Sequence, residues 1–237
     1  MKGEIVVLRD AAAVARHVAE WLLGEALAKQ GVFALGLSGG STPRTLYGLL
    51  ASDEFRDRFP WDRTHLFFGD ERFVPHDHPD SNFRMANEAM IAHVPIPPAQ
   101  VHAWQVQGDP DHSALHYADT LKRFYGADRL DPARPLFDVQ LLGLGEDGHT
   151  ASLFPGVAAL QERSAWTAAV IGAKPEPRLT LTYPVLDSAH VVAFLAPGAN
   201  KRDILARAIA GDDGLPAVHV VPVGKRMLFT DEAAAAR

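Results

Sequence analysis

With 237 residues, the chain is long enough for one large α/β domain with a sizeable core. Hydrophobic residues make up 47% and charged residues 22%, which is too apolar for a disordered chain. Lys and Arg total 23 against 29 Asp and Glu, and the resulting net charge of −6 argues against nucleic acid or an anionic membrane as the main partner.

A small anionic ligand stays compatible with that charge, because a few local cations and backbone N–H groups can hold it. Cysteine is absent, which excludes disulfides, thiolate catalysis and Cys-based metal sites. Met1 to Asp10 lacks a basic region followed by an apolar stretch, and no apolar run approaches the ~20 residues of a membrane span. A cytoplasmic protein is therefore expected.

Glu4–Leu8 reads as a strand. Asp10 can then cap a helix whose apolar positions Val14, Val18, Trp21, Leu22 and Ala26 follow the helical period. Val32–Leu37 is a continuous apolar run, as in a buried strand. It leads into Ser38-Gly39-Gly40-Ser41-Thr42, after which Pro43 opens a helix to about Leu50. His65–Phe68 is the next strand, with a polar stretch from Gly69 to Ser81 and a helix over Asn82–Met90. Asp111–Tyr125 reads as an amphipathic helix with Leu115, Ala118, Leu121, Lys122 and Phe124 near one side.

Phe137–Leu142 is a further buried strand, ending in the glycine-rich stretch Gly143–Gly148. Arg178–Thr182, His190–Leu195 and Met227–Thr230 read as strands, Lys201–Ala210 as a helix, and Val94–Gln100 and Ala127–Pro135 as loops. Strands alternating with helices predict βαβ units. The expected fold is a single α/β domain over residues 1–237, a Rossmann-like, mostly parallel sheet flanked by helices. In such sheets ligands sit outside the carboxyl ends of the strands, so the loops Ser38–Thr42, Gly69–Ser81 and Gly143–Thr150 are the candidate site.

The first loop joins strand to helix. Its glycines let backbone approach a ligand, Ser41 or Thr42 can cap, and the positive helix end favours a phosphate. Gly36-Leu37-Ser38-Gly39-Gly40 also fits the nucleophile-elbow pattern Gly-x-Ser-x-Gly, which would make Ser38 a covalent nucleophile. Only one strand and one helix precede it, however, whereas the elbow follows several strands. The second loop brings Asp70, Glu71 and Arg72 to a strand end. His76, Asp77 and His78 lie nearby but lack metal-ligand spacing, so no metal is expected. In the third loop His149 follows three glycines, and an imidazole titrates near neutrality, so it can take a proton from water. Glu146 and Asp147 are the candidates to orient it.

Together these segments resemble the 6-phosphogluconolactonase family, within the wider group that includes glucosamine-6-phosphate deaminase. The matching pieces are Leu37 to Pro43, Phe68 to Pro75 with Asp80-Ser81-Asn82, Leu142 to Gly156, Pro177 to Thr182, and Gly198-Ala199-Asn200-Lys201. They span nearly the whole chain in order. The resemblance implies hydrolysis of 6-phospho-D-glucono-1,5-lactone to 6-phosphogluconate in the oxidative pentose phosphate pathway, without a cofactor. It implies a phosphate loop of Gly39, Gly40, Ser41 and Thr42, with Arg178 and Lys201 as phosphate-binding cations.

On that basis His149 is the general base, Arg72 or the loop backbone stabilises the oxyanion, and Asp70 and Asp147 orient His149 or the sugar hydroxyls. A glucosamine-6-phosphate deaminase/isomerase on the same scaffold and a non-catalytic sugar-phosphate sensor are the competing readings. Thr150 to Gly156 after the histidine and Gly69-Asp70-Glu71-Arg72 are lactonase-like, and every expected acid and base is present. The expected partner is a phosphorylated sugar lactone, with the chain a monomer or weak homo-oligomer.

Overall fold

A computed structural model describes residues 3–236. Met1, Lys2 and Arg237, which the one-domain expectation includes, lie outside the described residues. The strands are β1 (Glu4–Leu8), β2 (Phe33–Leu37), β3 (Thr64–Phe68), β4 (Asp70–Arg72), β5 (Val101–His102), β6 (Phe137–Gly143), β7 (Thr167–Val170), β8 (Arg178–Leu181), β9 (Ala189–Leu195) and β10 (Lys225–Asp231). The helices are α1 (Ala11–Ala28), α2 (Ser41–Leu50), α3 (Asn82–Ala89), α4 (Pro110–Tyr125), α5 (Tyr183–Asp187), α6 (Arg202–Ala210) and α7 (Glu232–Ala235).

Seven strands form a parallel sheet in the order β1-β10-β9-β6-β2-β3-β5. The chain runs outward through β3 and β5 on one side of β2, then returns to β6 and runs outward the other way. Strand order therefore reverses between β2 and β6, and the loops after those two strands open onto the same crevice. That is where a doubly wound sheet places its ligand.

Strong local signals fixed the long elements. Asp10 caps α1 through a 2.8 Å bond from the Ala13 N–H, and Val14, Val18, Leu22 and Ala26 are buried beneath it. Every residue of β2 is buried, as its unbroken apolar run predicts.

The short elements departed from expectation. The stretch after β3 contains β4, which pairs antiparallel with β8, itself paired antiparallel with β7. Arg178–Leu181 is thus a strand of a separate three-stranded sheet, not of the main one. Three polar residues carry no apolar alternation, and only a partner distant in sequence makes them a strand. In α4, Leu115 is 64% exposed, and the buried face is Ala114, Tyr117, Ala118, Leu121 and Tyr125. The inward stripe lies one residue from the expected one, because Tyr117 and Tyr125 anchor it. Buried residues of both sheets join one core.

Candidate functional site

A cleft of about 250 Å³ opens at the β2/β6 reversal. Gly39, Gly40, Ser41, Thr42, Asp70, Arg72, His149 and Lys201 all line it, together with Ser38, Asn82, Gly145, Thr150 and Ala151. Of the expected site residues, Asp147 stands behind His149, and Arg178 stands beside Arg72 across the β4·β8 pair.

The first wall is the turn after β2. The fully buried Tyr47 of α2 reaches back to it, donating to the Ser38 carbonyl at 2.8 Å and accepting from the Ser38 N–H at 2.9 Å. Helix α2 starts at Ser41, two residues earlier than Pro43. Its N-cap is Gly40 at φ 110°, and no side chain caps its first turn. Ser41 and Thr42 therefore do not act as caps. Pro43 sits at the third helical position, where the missing N–H would have had no intrahelical partner. The N–H groups of Ser41 and Thr42 are left for a ligand, at the positive end of the helix. Gly39 packs so closely on α3 that a Cβ there would lie 2.1 Å from Asn82 Oδ1.

Cations gather beside this helix end despite the net negative charge of the chain. Lys201, at the N-terminus of α6, lines the cleft and has no ion pair among the described residues. Arg72 donates from Nη1 to the Asp80 carbonyl at 2.5 Å. The Nε atoms of Arg72 and Arg178 are both buried without a hydrogen-bond partner. Glu176 stands 3.7 Å from Arg178, and the charges of Asp70 and Asp80 also reach it. Burial, and then the charge of Arg72, push the Arg178 pKa below its ordinary value. Two adjacent guanidiniums with unmet donors suit an anion that accepts from both.

The opposite wall is the loop after β6. Gly145 N–H donates to the His149 carbonyl at 2.8 Å, Gly148 N–H to the Gly145 carbonyl at 3.0 Å, and Thr150 Oγ1 to the Gly143 carbonyl at 2.9 Å. These bonds fold the loop on itself and turn His149 toward the cleft. Asp147 Oδ1 accepts the His149 N–H at 3.0 Å and lies 2.5 Å from Nδ1. Burial raises the Asp147 pKa, but the bonds from the His149 amide and ring outweigh it and hold the carboxyl below its usual range. The carboxylate then accepts the Nδ1 proton, which leaves Nε2 as the basic nitrogen. Phe154 packs against the imidazole with ring centroids 4.6 Å apart. A Cβ on Gly145 would lie 2.0 Å from Nδ1, so glycine is needed where the ring rests.

The acids divide their work. Glu146 accepts from Asn200 Nδ2 at 2.7 Å, so Asp147 alone orients the histidine. Asp70 is bonded to other partners: its Oδ2 accepts from Ser152 Oγ at 2.7 Å, and its Oδ1 from Asn82 Nδ2 at 3.3 Å. Glu71 points away from the cleft into the protein. It accepts from the N–H groups of Arg72, Asn82 and Phe83 and from Ser81 Oγ, tying the start of α3 to β4, and burial raises its pKa.

The remaining candidates fall outside this arrangement. Ser38 donates its hydroxyl to the Gly39 carbonyl at 3.2 Å rather than to an imidazole, so no nucleophile–base pair forms there. His76 bonds the Trp104 carbonyl through Nε2, and among the described residues no group of three or more His, Asp or Glu is arranged to hold a metal ion. Asn82, Ser152 and Phe154 lie in the family-like segments, but neither they nor Tyr47 are given a role by the sequence. Their partners lie at separations from five residues to 82, and only the folded chain brings the distant ones together.

The family described as glucosamine-6-phosphate isomerases/6-phosphogluconolactonase matches residues 9–229. The chain is 40% identical over 245 residues to the 6-phosphogluconolactonase of Nostoc sp., an alignment covering 100% of this chain and 98% of the relative. The solved 6-phosphogluconolactonase of Trypanosoma cruzi is 29% identical with a TM-score of 0.83, covering 99% of this chain and 96% of the other. A monomeric glucosamine-6-phosphate deaminase has a TM-score of 0.81 at 19% identity, covering 98% and 99%, which shows a shared fold alone.

Proposed function

The chain belongs to the family of glucosamine-6-phosphate isomerases and 6-phosphogluconolactonases, and from that membership and the chemistry of the cleft we propose that it hydrolyses 6-phospho-D-glucono-1,5-lactone to 6-phosphogluconate in the oxidative pentose phosphate pathway. The observation that carries this reading is that a base and the elements of an anion grip line one cleft: His149, the start of α2 and Lys201. The substrate phosphate sits against the N–H groups of Ser41 and Thr42 and is neutralised by Lys201 and Arg178.

His149 Nε2 takes a proton from water as the oxygen attacks the lactone carbonyl carbon. Arg72, or a backbone N–H of the glycine-rich loop other than those of Gly145, Gly148 and His149, which bond within the loop, stabilises the oxyanion. As the carbonyl carbon–ring oxygen bond breaks, protonated His149 returns the proton to the departing oxygen. Asp147 holds the imidazole in its productive tautomer, and Asp70 accepts from the sugar hydroxyls. Binding energy at the phosphate is realised as orientation at the carbonyl.

Residues 1–237 act as a single catalytic domain, in the cytoplasm, as a monomer or weak homo-oligomer. Among the described residues no helix is long and apolar enough to cross a membrane.

The test is a lactonase assay with and without the substrate phosphate. The phosphorylated lactone should be strongly preferred, and ammonia release from glucosamine 6-phosphate should be absent. Arg178→Ala should raise KM for the phosphorylated lactone by about 10- to 100-fold, the range for one lost charge-assisted hydrogen bond. It should leave the slow turnover of the unphosphorylated lactone unchanged. An unaltered KM would remove Arg178 from the phosphate site.

A further inference from the structure

Ser152 lies outside the cleft lining and is 1% exposed, yet it bonds a carboxylate that lines the cleft. Its hydroxyl donates to Asp70 Oδ2 at 2.7 Å across 82 residues of chain, and its N–H donates to Thr180 Oγ1 at 3.2 Å on β8. Thr180 in turn is the register partner of Asp70 in the β4·β8 pair. Ser152 thus reaches both strands of that pair, at the position of the cleft-lining Asp70.

The backbone before it is unusual. Ala151 has φ 47°, and it is the only non-glycine with positive φ among the described residues. An alanine in the left-handed region costs about 1 kcal/mol or more and persists only where its surroundings demand it. Here the turn lets His149 face the cleft while Ser152, three residues on, faces Asp70. From the other side, Asn82 Nδ2 donates to the Asp70 carbonyl at 2.9 Å and to Oδ1 at 3.3 Å, and Gly39 packs on Asn82. Both oxygens of Asp70 are therefore held, one from the histidine loop and one from the helix under the phosphate turn.

We infer that Ser152 is a positioning residue for hydrolysis. Its hydroxyl fixes the Asp70 carboxylate so that the remaining lone pairs face the substrate, and it ties the histidine loop to the acid-bearing strand. The inference rests on the reading above, in which Asp70 accepts from the sugar hydroxyls. With Ser152→Ala the carboxylate turns away or recruits water, and substrate in the cleft loses register with His149.

The experiment is a double-mutant cycle of Ser152→Ala and Asp70→Ala, read as kcat and KM for the phosphorylated lactone, with thermal unfolding of each variant alongside. Ser152→Ala should lower kcat/KM by about tenfold, and Ser152→Thr, which keeps the hydroxyl, should recover most of it. In the Asp70→Ala background the same serine change should have less than about twofold further effect, since its partner is gone. Equal losses in both backgrounds, or a Ser152→Ala enzyme that unfolds earlier but turns over normally, would overturn the inference and leave Ser152 a packing residue. If Asp70→Ala itself turns over normally, the assignment of Asp70 to substrate fails, and the positioning role of Ser152 falls with it. If Asp70→Ala is impaired and Ser152→Ala is not, the inference alone fails.

Discussion

His149→Ala should lose about 10²- to 10⁴-fold in kcat, the contribution of a positioned general acid–base group, while still folding and still binding 6-phosphogluconate. The fold should survive because the His149 side chain is 29% exposed and the loop is held by backbone bonds among Gly145, His149 and Gly148 that need no imidazole. Product binding should survive because the proposed anion contacts, from the start of α2, Lys201 and Arg178, do not involve the imidazole. The loss should therefore fall on kcat, with KM altered little. The measurement is initial-rate lactonase activity after subtraction of spontaneous hydrolysis, with product binding by calorimetry. A variant retaining near-wild-type rate would remove His149 from the mechanism.

Gly145→Ala should be nearly as damaging although it removes no functional group. The added Cβ would lie 2.0 Å from His149 Nδ1, 2.2 Å from Cε1 and 2.8 Å from Asp147 Oδ1, all well inside van der Waals contact. Gly145 does not occupy the left-handed region, so an alanine backbone is tolerated there and the clash falls on the ring and carboxylate. Both are partly exposed and can swing aside. We expect a loss of about 10²-fold in kcat, since small misplacements of a catalytic group cost on that order, with a melting temperature within about 4 °C of wild type. A normal kcat would mean that the ring position at the glycine is not the productive one.

The sequence exposed those parts of the site that depend on short stretches of chain. The strand–turn–helix at Leu37–Leu50 and the glycine-rich loop ending in His149 carry their own signals. In each, glycines occur where backbone must approach a neighbour, and an apolar strand precedes them. Even so, the start of α2 was misjudged. Proline at Pro43 suggests the first helical position, but the other positions of the first turn also lack an intrahelical N–H bond and tolerate it.

Long-range pairings were not legible. Nothing local in Asp70-Glu71-Arg72 says that it is a strand, that Glu71 turns inward to serve the start of α3, or that Arg72 meets Arg178. The strand and the Arg72–Arg178 meeting follow from β4·β8 pairing across more than a hundred residues, and the turn of Glu71 from the return of the chain at α3. The division between Asp147 and Asp70 was likewise undetermined. The first bonds a histidine two residues away, and the second a serine 82 residues away. Spacing constrains only the first kind of contact.

The most direct test is a crystal structure of the protein with 6-phosphogluconate. The account predicts phosphate oxygens on the N–H groups of Ser41 and Thr42, with Lys201 and Arg178 beside them. It also predicts His149 Nε2 within about 3 to 5 Å of the carboxylate carbon, direct or one-water reach. A phosphate bound elsewhere, or an imidazole ~10 Å or more from that carbon and so far beyond proton-transfer reach, would contradict it.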